Sequence, residues 1–344
     1  MPTGNDAASP VTTTVIGSLP RPAWLVRDDN IRLWRLAGEA LRQGKDDAAR
    51  LAIRDQETAG IDVITDGEQR RMHYISRFIS SLSGIDAKRS NYADVEEGTV
   101  SRASPVVTGD VSRKHAYALE DLRFLKAHTD RRVKMTMPGP MTAMYWLTNE
   151  HYAREADLGM AMARALHEEM LDLQAAGCDV IQLDEPQAIQ RPTAFREWGR
   201  AALDLAFEGI ETTTCVHFCL GFPPVGETPT VRDPATVSAL ARMLPDIGSC
   251  RARQLAFECE SSRIEPEFFL GLPDDKQVVV GLVDVGCTAV EDPRRIAGRI
   301  KRAVGVLGRD RVWAAPDCGL VWLPIDTARE KLRALVEGTR LASG

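Results

Sequence analysis

His217 and Cys219 stand two residues apart in the stretch TTTCVHFCLGF, which runs from Thr212 to Phe222. The stretch is otherwise apolar or rich in Thr, which is typical of a buried strand. Side chains two residues apart on a strand point to the same face, so the imidazole and the thiol project together. Zn²⁺ prefers four ligands drawn from imidazole N, thiolate S and carboxylate O. The pair therefore predicts half of a zinc site.

Two further ligand candidates follow other apolar runs. Glu258 follows QLAF, and Cys318 follows VWAAPD. An isolated His-x-Cys pair is more often a core His beside a buried Cys, but here every candidate stands at the carboxyl end of a predicted strand. Glu260 shares a strand face with Glu258 and is its rival. We predict a zinc site of His217, Cys219, Glu258 and Cys318, with Glu260 as the alternative carboxylate.

The chain has seven cysteines, an odd number in a protein that is neither small nor visibly secreted. A disulfide framework is therefore not expected. Cys215 lies on the same strand face as His217 but deeper, and we interpret it as core. Cys287 stands near a strand end, and its role is left open. The cysteines without metal-like neighbours are Cys178, Cys250 and Cys259.

Composition and charge exclude several classes of protein for this sequence. The 344 residues are 44% hydrophobic and 27% charged, as in ordinary globular proteins. The net charge of −6 predicts no binding to nucleic acid or to an anionic membrane. The apolar runs are too short to span a bilayer, and the N-terminus lacks the pattern of a signal peptide. We expect a cytoplasmic protein.

Short β-branched runs alternate with longer amphipathic segments along the chain. The predicted strands are Thr12–Ile16, Val63–Thr65, Arg132–Met137, Val180–Leu183, Thr213–Phe218, Gln254–Glu258, Val278–Val283 and Val312–Ala315, with Pro105–Thr108 as a weaker candidate. The predicted helices are Trp34–Thr58, Arg113–Ala127, Tyr152–Ala176, Thr193–Phe207, Pro234–Met243, Pro293–Leu307 and Thr327–Leu341. Glycines in AGID, AGCD and LGRD stand where helix C-caps are expected.

About eight strand–helix alternations with buried strands predict a (β/α)8 barrel, the TIM barrel of the α/β class. We expect one domain over residues 1–344, with residues 1–11 as a flexible tail. A doubly wound open sheet is the alternative, but no Gly-rich phosphate turn follows the first strand. In a barrel, the carboxyl ends of the strands converge on one mouth, where active sites lie. The ligand candidates are all predicted at that mouth.

Four motifs in this order, TTTVIGSLPR, IQLDEP, HFC and WAAPDCGL, resemble the catalytic barrel of the cobalamin-independent methionine synthase family. The resemblance runs from about Thr12 to Leu323 and implies a barrel of the uroporphyrinogen decarboxylase and methionine synthase type. It implies Zn²⁺ as cofactor and homocysteine as the thiol substrate, and it implies that Trp146 stacks on a folate ring. The residues that it implies for the homocysteine amino acid group are Ile16, Gly17, Ser18, Glu68 and Asp184.

The sequence departs from the family where the methyl donor and the proton would be handled. Gly286 stands where the family has a catalytic His, and Asp284 is retained as a catalytic candidate beside Asp184. The basic segment after DEP is replaced by QAIQRP, and the family's second, N-terminal barrel is not found in this sequence. We therefore expect the donor to be methyltetrahydrofolate or a methylcobalamin-like corrinoid, with a helper or corrinoid protein as a possible partner.

Three other functions compete with methyl transfer to homocysteine. A related zinc enzyme could alkylate another thiol, as when coenzyme M opens an epoxide. A metal-free lyase like the uroporphyrinogen decarboxylases would need no zinc ligands. A zinc-stabilised scaffold without activity would be expected to carry C-x2-C knuckles, which the sequence lacks. We favour a zinc-dependent thiol S-methyltransferase.

Overall fold

The computed structural model describes residues 10–27, 33–93, 102–221 and 224–344. Most of the predicted tail, residues 1–9, lies outside the described residues, whereas Val11 is buried. The strands are β1 (Thr12–Thr13), β2 (Val63–Ile64), β3 (Ile85–Ala93), β4 (Arg102–Val107), β5 (Arg132–Pro138), β6 (Thr148–Asn149), β7 (Val180–Asp184), β8 (Thr213–Phe218), β9 (Gln254–Phe257), β10 (Gln277–Gly281) and β11 (Val312–Ala315).

Helices follow most of the barrel strands. They are α1 (Gly38–Ala59), α2 (Tyr74–Ser80), α3 (Leu119–Lys126), α4 (Pro140–Met144), α5 (Glu155–Ala175), α6 (Pro186–Gln190), α7 (Pro192–Ala194), α8 (Arg200–Ala206), α9 (Pro234–Gly248), α10 (Pro293–Leu307) and α11 (Ile325–Ser343). A π-helical turn, Phe195–Gly199, joins α7 to α8, and 3-10 turns occupy Pro266–Gly271 and Arg309–Arg311. Within the described part of the chain, no helix is long and apolar enough to cross a membrane.

Eight parallel strands form the predicted barrel, in the order β1-β11-β10-β9-β8-β7-β5-β2. A parallel bridge between Thr14 and Val63 joins the two end strands and closes the sheet. The register places Asp184 of β7 opposite His217 of β8, so two predicted site residues are adjacent at one edge. The (β/α)8 fold class is confirmed, and the eight predicted barrel strands are all present.

Two apolar layers explain why these strands are buried on both faces. The outer layer lies between the strands and the helices. The inner layer fills the barrel and includes Val63, Val180, Cys215, Val279 and Trp313, one from each of five strands. Cys215 is therefore core, as predicted, because alternation along β8 directs it into the barrel.

Several helices are capped, by an Asp side chain at the first turn or by a glycine after the last turn. Asp233 and Asp292 accept hydrogen bonds at 2.9 Å from the backbone N–H groups that start α9 and α10. Gly60, Gly177 and Gly308, the glycines predicted as C-caps, all have positive φ. The two Asp caps lie on the side of the mouth, whereas the glycines lead into the amino ends of the next strands, at the opposite end of the barrel.

A second, three-stranded sheet lies outside the barrel. It has the order β3-β4-β6, and the weak candidate Pro105–Thr108 belongs to β4 of this sheet. The predicted helix over Arg113–Ala127 begins only at Leu119. The reason is that Glu169 of α5 binds the preceding segment: it pairs with Arg113 at 2.8 Å and accepts the backbone N–H of Tyr117.

Candidate active site

A cavity of about 240 Å³ opens at the carboxyl ends of the barrel strands. Residues that follow β1, β2, β7, β8 and β11 line it. The predicted site residues among them are Ile16, Gly17, Ser18, Glu68, Asp184, His217, Cys219 and Cys318. The barrel thus gathers residues from distant parts of the sequence around one cavity.

Three of the four predicted metal ligands form a cluster at the floor of this cavity. One ligand atom each of His217, Cys219 and Cys318 lies within 4.8 Å of the other two. The Sγ atoms of the two cysteines are 3.4 Å apart. All three side chains are buried, and each is placed by the carboxyl end of β8 or β11.

The cluster fits Zn²⁺ by its own chemistry. His217 is buried, yet neither ring nitrogen forms a hydrogen bond of normal geometry with a described residue. Burial lowers the pKa of His217 to about 3, so the imidazole is neutral, which is the form that binds metals. The hydrogen bond with Cys219 and burial raise the pKa of Cys318 well above its usual value. Such thiols ionise when a cation is bound to them.

Glu258 reaches the cluster from the loop after β9. Its Oε1 lies 3.5 Å from Cys219 Sγ and accepts the backbone N–H of Leu220 at 2.7 Å. Its Oε2 accepts hydrogen bonds from Arg232. Burial raises the pKa of Glu258, and the Arg232 guanidinium opposes that shift. The carboxylate is therefore beside the cluster, held between a backbone amide and a cation.

Asp317 fixes the loop that carries Glu258. Its Oδ1 accepts the backbone N–H groups of Cys259 and Glu260 at 3.0 and 2.9 Å. Its Oδ2 accepts both the backbone N–H and the hydroxyl of Ser261, at 2.7 and 2.6 Å. Because Asp317 directly precedes Cys318, one short segment carries one predicted ligand and positions the loop of another.

Glu260, the rival carboxylate, is directed elsewhere. It pairs with Arg263 at 3.4 Å and with Arg295 and Arg299. The expectation that Glu260 and Glu258 share a face does not hold, because β9 ends at Phe257 and the chain turns there. Strand alternation applies only while the backbone stays extended.

Two carboxylates, the buried Glu68 and the half-buried Asp184, line the same cavity beside the cluster. Asp184 accepts a hydrogen bond from Gln182 Nε2 at 2.7 Å, and Glu68 accepts one from Thr136 Oγ1 at 2.8 Å. Neither forms an ion pair with a described residue. Burial and the nearby Glu68 raise the pKa of Asp184 to about 8. Asp184 is therefore mostly protonated at neutral pH when no ligand is bound. A bound ammonium group would supply the missing positive charge and favour the ionised form of this carboxyl.

Glu68 also has a strained backbone, with a φ of 56°. Non-glycine residues in this region cost about 1–3 kcal/mol and cluster at functional sites. This backbone conformation places the Glu68 carboxylate against Gly17, where the absence of a side chain leaves space for it. A Cβ at Gly17 would lie 2.6 Å from Glu68 Oε1.

Residues 16–18, the IGS segment, line the cavity, but most of their polar groups are already hydrogen-bonded within the protein. The carbonyl oxygens of Ile16, Gly17 and Ser18 accept hydrogen bonds from Gln182, Thr65 and Leu320. The backbone N–H groups of Gly17 and Ser18 donate to no other described residue. Those N–H groups and the Ser18 hydroxyl are therefore the groups that a ligand carboxylate can use.

Trp146 and Asp284 are predicted site residues that do not line the cavity. Trp146 is half-buried and stacks on His73, with ring centroids 4.5 Å apart, and it is His73 that lines the cavity. Asp284 is buried, and its two oxygens accept the backbone N–H groups of Gly286 and Thr230, at 2.8 and 2.5 Å. In this arrangement Asp284 joins the loops that follow β10 and β8.

Sequence reasoning missed three polar side chains that support the site. Lys134 is buried inside the barrel and donates to Gln182 at 2.9 Å, and Gln182 in turn donates to Asp184. Alternation along β7 could have indicated Gln182, which stands two residues before Asp184, but Lys134 joins this chain only through the register of β5 with β7. Arg232, by contrast, stands in an exposed-looking TVRDP segment, where no local signal connects it to Glu258.

The fold and the site define a (β/α)8 barrel with a centre of one imidazole and two thiols at its mouth. The family model for the cobalamin-independent synthase catalytic domain matches residues 11–340. The chain belongs to that family, and the sequence-based family prediction is confirmed.

Relatives share the whole length of the barrel. The chain is 31% identical over 334 residues to methionine synthase of Sulfurisphaera tokodaii, covering 96% of this chain and 91% of the relative. It is likewise 31% identical over 336 residues to methionine synthase of Saccharolobus solfataricus, covering 96% and 94%. A similar solved structure is a B12-independent methionine synthase from Shewanella sp. W3-18-1 in complex with selenomethionine. The TM-score is 0.85 and the identity is 32%, with 96% of this chain and 97% of that chain covered.

Proposed function

We propose that the chain is a zinc-dependent methyltransferase that transfers a methyl group to the sulfur of homocysteine and forms methionine. The observation that carries this proposal is the placement of the His217, Cys219 and Cys318 cluster and the Asp184 and Glu68 pair around one cavity. The cluster suits a sulfur and a metal, and the carboxyl pair beside it suits an ammonium group. An amino acid with a thiol on its side chain matches both.

His217, Cys219 and Cys318 would hold the zinc, with Glu258 as the fourth ligand. When bound, zinc would keep the substrate sulfur in its thiolate form, the nucleophilic form of a thiol. Asp317 contributes by holding the loop of Glu258 in place. All four of these side chains are buried, so they would face the metal and the substrate with little competition from bulk water.

Asp184 and Glu68 would bind the substrate ammonium, and the amides of Gly17 and Ser18 with the Ser18 hydroxyl would bind its carboxylate. These contacts fix the direction of the sulfur toward an incoming methyl group. Orientation of this kind can supply several kcal/mol of the barrier reduction. The Lys134–Gln182 chain below Asp184 supports its position.

The comparisons support homocysteine methylation over the competing functions. The curated relatives cited above are named methionine synthase, and the Shewanella structure is described with selenomethionine, the selenium analogue of the product. Coenzyme M carries a sulfonate and no ammonium group, so Asp184 and Glu68 would repel it. A metal-free lyase would leave the His217 and cysteine cluster without a role.

The methyl donor is a separate part of the proposal. The face of Trp146 that stacks on His73 is covered, so a folate ring would have to displace His73 to use it. Gly286 has no side chain to protonate a leaving folate amine, and Asp284 is engaged by two backbone amides. Cob(I)alamin leaves without that proton. We therefore propose a methylcobalamin-like donor, free or carried by a corrinoid protein, over methyltetrahydrofolate. The cytoplasmic location stays a prediction from composition.

Methionine formation from homocysteine tests the function and the donor together. Zinc-loaded protein is assayed with methylcobalamin and with methyltetrahydrofolate at matched concentrations, and Cys219→Ser serves as the inactive control. We expect methionine to form with methylcobalamin, and to form more slowly or not at all with methyltetrahydrofolate. Faster turnover with the folate would contradict the donor proposal only. Methionine from neither donor would contradict the function.

A further inference from the structure

Arg232 pairs with Glu258 directly beside the cluster of candidate zinc ligands. Its Nε and one terminal nitrogen lie 3.0 and 2.7 Å from Glu258 Oε2, and that terminal nitrogen also donates to the carbonyl of Gly221. The other carboxylate oxygen accepts the N–H of Leu220 and lies 3.5 Å from Cys219 Sγ. One carboxylate thus has a cation on one oxygen and a ligand thiol on the other.

The position of Arg232 is fixed by its own backbone. Its N–H donates to the carbonyl of Ser261 at 3.0 Å, in the loop that Asp317 organises. The next residue, Asp233, is the N-cap of α9 and accepts the N–H of Ala235. The side chain of Arg232 is only 15% exposed. This pair is therefore part of the site and unlike a mobile surface ion pair.

Charge balance gives Arg232 a consequence for metal binding. Two thiolates and one carboxylate carry three negative charges, one more than Zn²⁺ neutralises. A fixed guanidinium brings the sum to zero, but it also repels the metal and competes with it for the lone pairs of Glu258. The carboxylate is the ligand that Arg232 weakens, because the cysteines and His217 do not contact it.

We propose that Arg232 is a positioning residue that holds Glu258 as a weak and exchangeable zinc ligand, so that one ligand position is open to a thiol substrate. This inference rests on the zinc centre of the proposed function. Its direct consequence is that Arg232 lowers the affinity of the protein for zinc. A residue with a merely structural role would have the opposite effect when removed, since damage to a site weakens it.

Zinc affinity of purified full-length protein tests the proposal, measured by competition with a chelating dye and with zinc alone as the ligand. We expect Arg232→Met to bind zinc roughly tenfold or more tightly than the wild type, because a nearby positive charge is lost. Arg232→Gln, which keeps a hydrogen-bond donor, should show the same direction and serves if the Met variant does not fold. Arg232→Lys keeps the charge and should stay close to the wild type.

Arg295→Met is the matched control, since the Arg295 side chain pairs with Glu260 in the same loop but away from the cluster. Its zinc affinity should be unchanged. Zinc binding by Arg232→Met that equals or falls below the wild type would overturn the inference. The inference would also be overturned if Arg232→Met raised zinc affinity by the same factor in a Glu258→Gln background. Arg232 would then act on the metal without Glu258. A wild type that binds no zinc would contradict the proposed function instead.

Discussion

The Sγ atoms of Cys219 and Cys318 lie 3.4 Å apart, although 99 residues separate them in the sequence. In the sheet, β9 and β10 lie between the strands that carry them. Neighbouring strands are about 4.8 Å apart, so an open, flat sheet would hold these positions roughly 14 Å apart. The contact depends on the curvature of the closed barrel, and the cluster of candidate ligands is in that sense a property of the fold.

Replacing Cys219 by Ser should remove zinc and activity together. A hydroxyl is a poor zinc ligand, and Cys219 contacts both Cys318 and Glu258. Metal analysis should find about one zinc per wild-type chain and much less in the variant. Cys287→Ser is the control, because among the described residues the Cys287 thiol bonds only to the carbonyl of Glu227 and the N–H of Ala289. Equal zinc content in the wild type and Cys219→Ser would contradict the ligand assignment.

Asp184→Asn should weaken homocysteine binding while zinc is retained. Hydrogen bonds to charged groups contribute about 1.5–3 kcal/mol, so the KM for homocysteine should rise roughly 10- to 100-fold. Asp179→Asn, at the opposite end of the same strand, is the control and should leave the KM unchanged; Asp179 accepts only the N–H of Val133. Loss of zinc from Asp184→Asn would show that Asp184 belongs to the metal centre.

Strand-end positions and strand alternation predicted the metal-ligand part of the cavity, whereas the substrate-binding part was predicted from the family resemblance; those residues are Ile16, Gly17, Ser18, Glu68 and Asp184. The cluster of His217, Cys219 and Cys318 follows from alternation along β8 and from the convergence of strand ends in a barrel. The prediction failed where the backbone leaves the strand, as at Glu260, since alternation ends at Phe257.

Contacts between distant loops could not be predicted. Arg232 reaches Glu258 across 26 positions, and Asp317 reaches Cys259 across 58. Neither pair has a spacing that marks it, because their geometry depends on how two loops pack. The late start of α3 has the same cause: Glu169 of α5 binds the segment before it.

Gly17→Ala should impair substrate binding through Glu68. The new methyl group would lie 2.6 Å from Glu68 Oε1 and 3.2 Å from Thr136 Cγ2, so the carboxylate must move. Displacement of a binding group by about 1 Å is costly, and we expect the KM for homocysteine to rise roughly tenfold or more. Gly226→Ala, which has no atom within 4 Å of its added Cβ, is the control. Unchanged KM in Gly17→Ala would count against Glu68 as an anchor.

Asp317→Ala should lower both stability and zinc affinity. It leaves the buried N–H groups of Cys259, Glu260 and Ser261 without their acceptor. The free energy of unfolding, measured by urea denaturation, should fall by about 3 kcal/mol. Asp310→Ala is the control, since Asp310 is exposed and stands just before β11, the strand that Asp317 follows. It should change neither the free energy of unfolding nor the zinc affinity. A destabilised variant with wild-type zinc affinity would show that the loop of Glu258 does not support the metal.

The central claim is that homocysteine binds to a zinc ion held by His217, Cys219 and Cys318. Zinc X-ray absorption spectroscopy of the purified protein, before and after addition of homocysteine, tests it most directly. We expect two sulfur ligands with lighter N and O ligands in the free protein, and three sulfur ligands once homocysteine is added. A zinc ion with no sulfur ligand, or a ligand set that homocysteine leaves unchanged, would contradict the account.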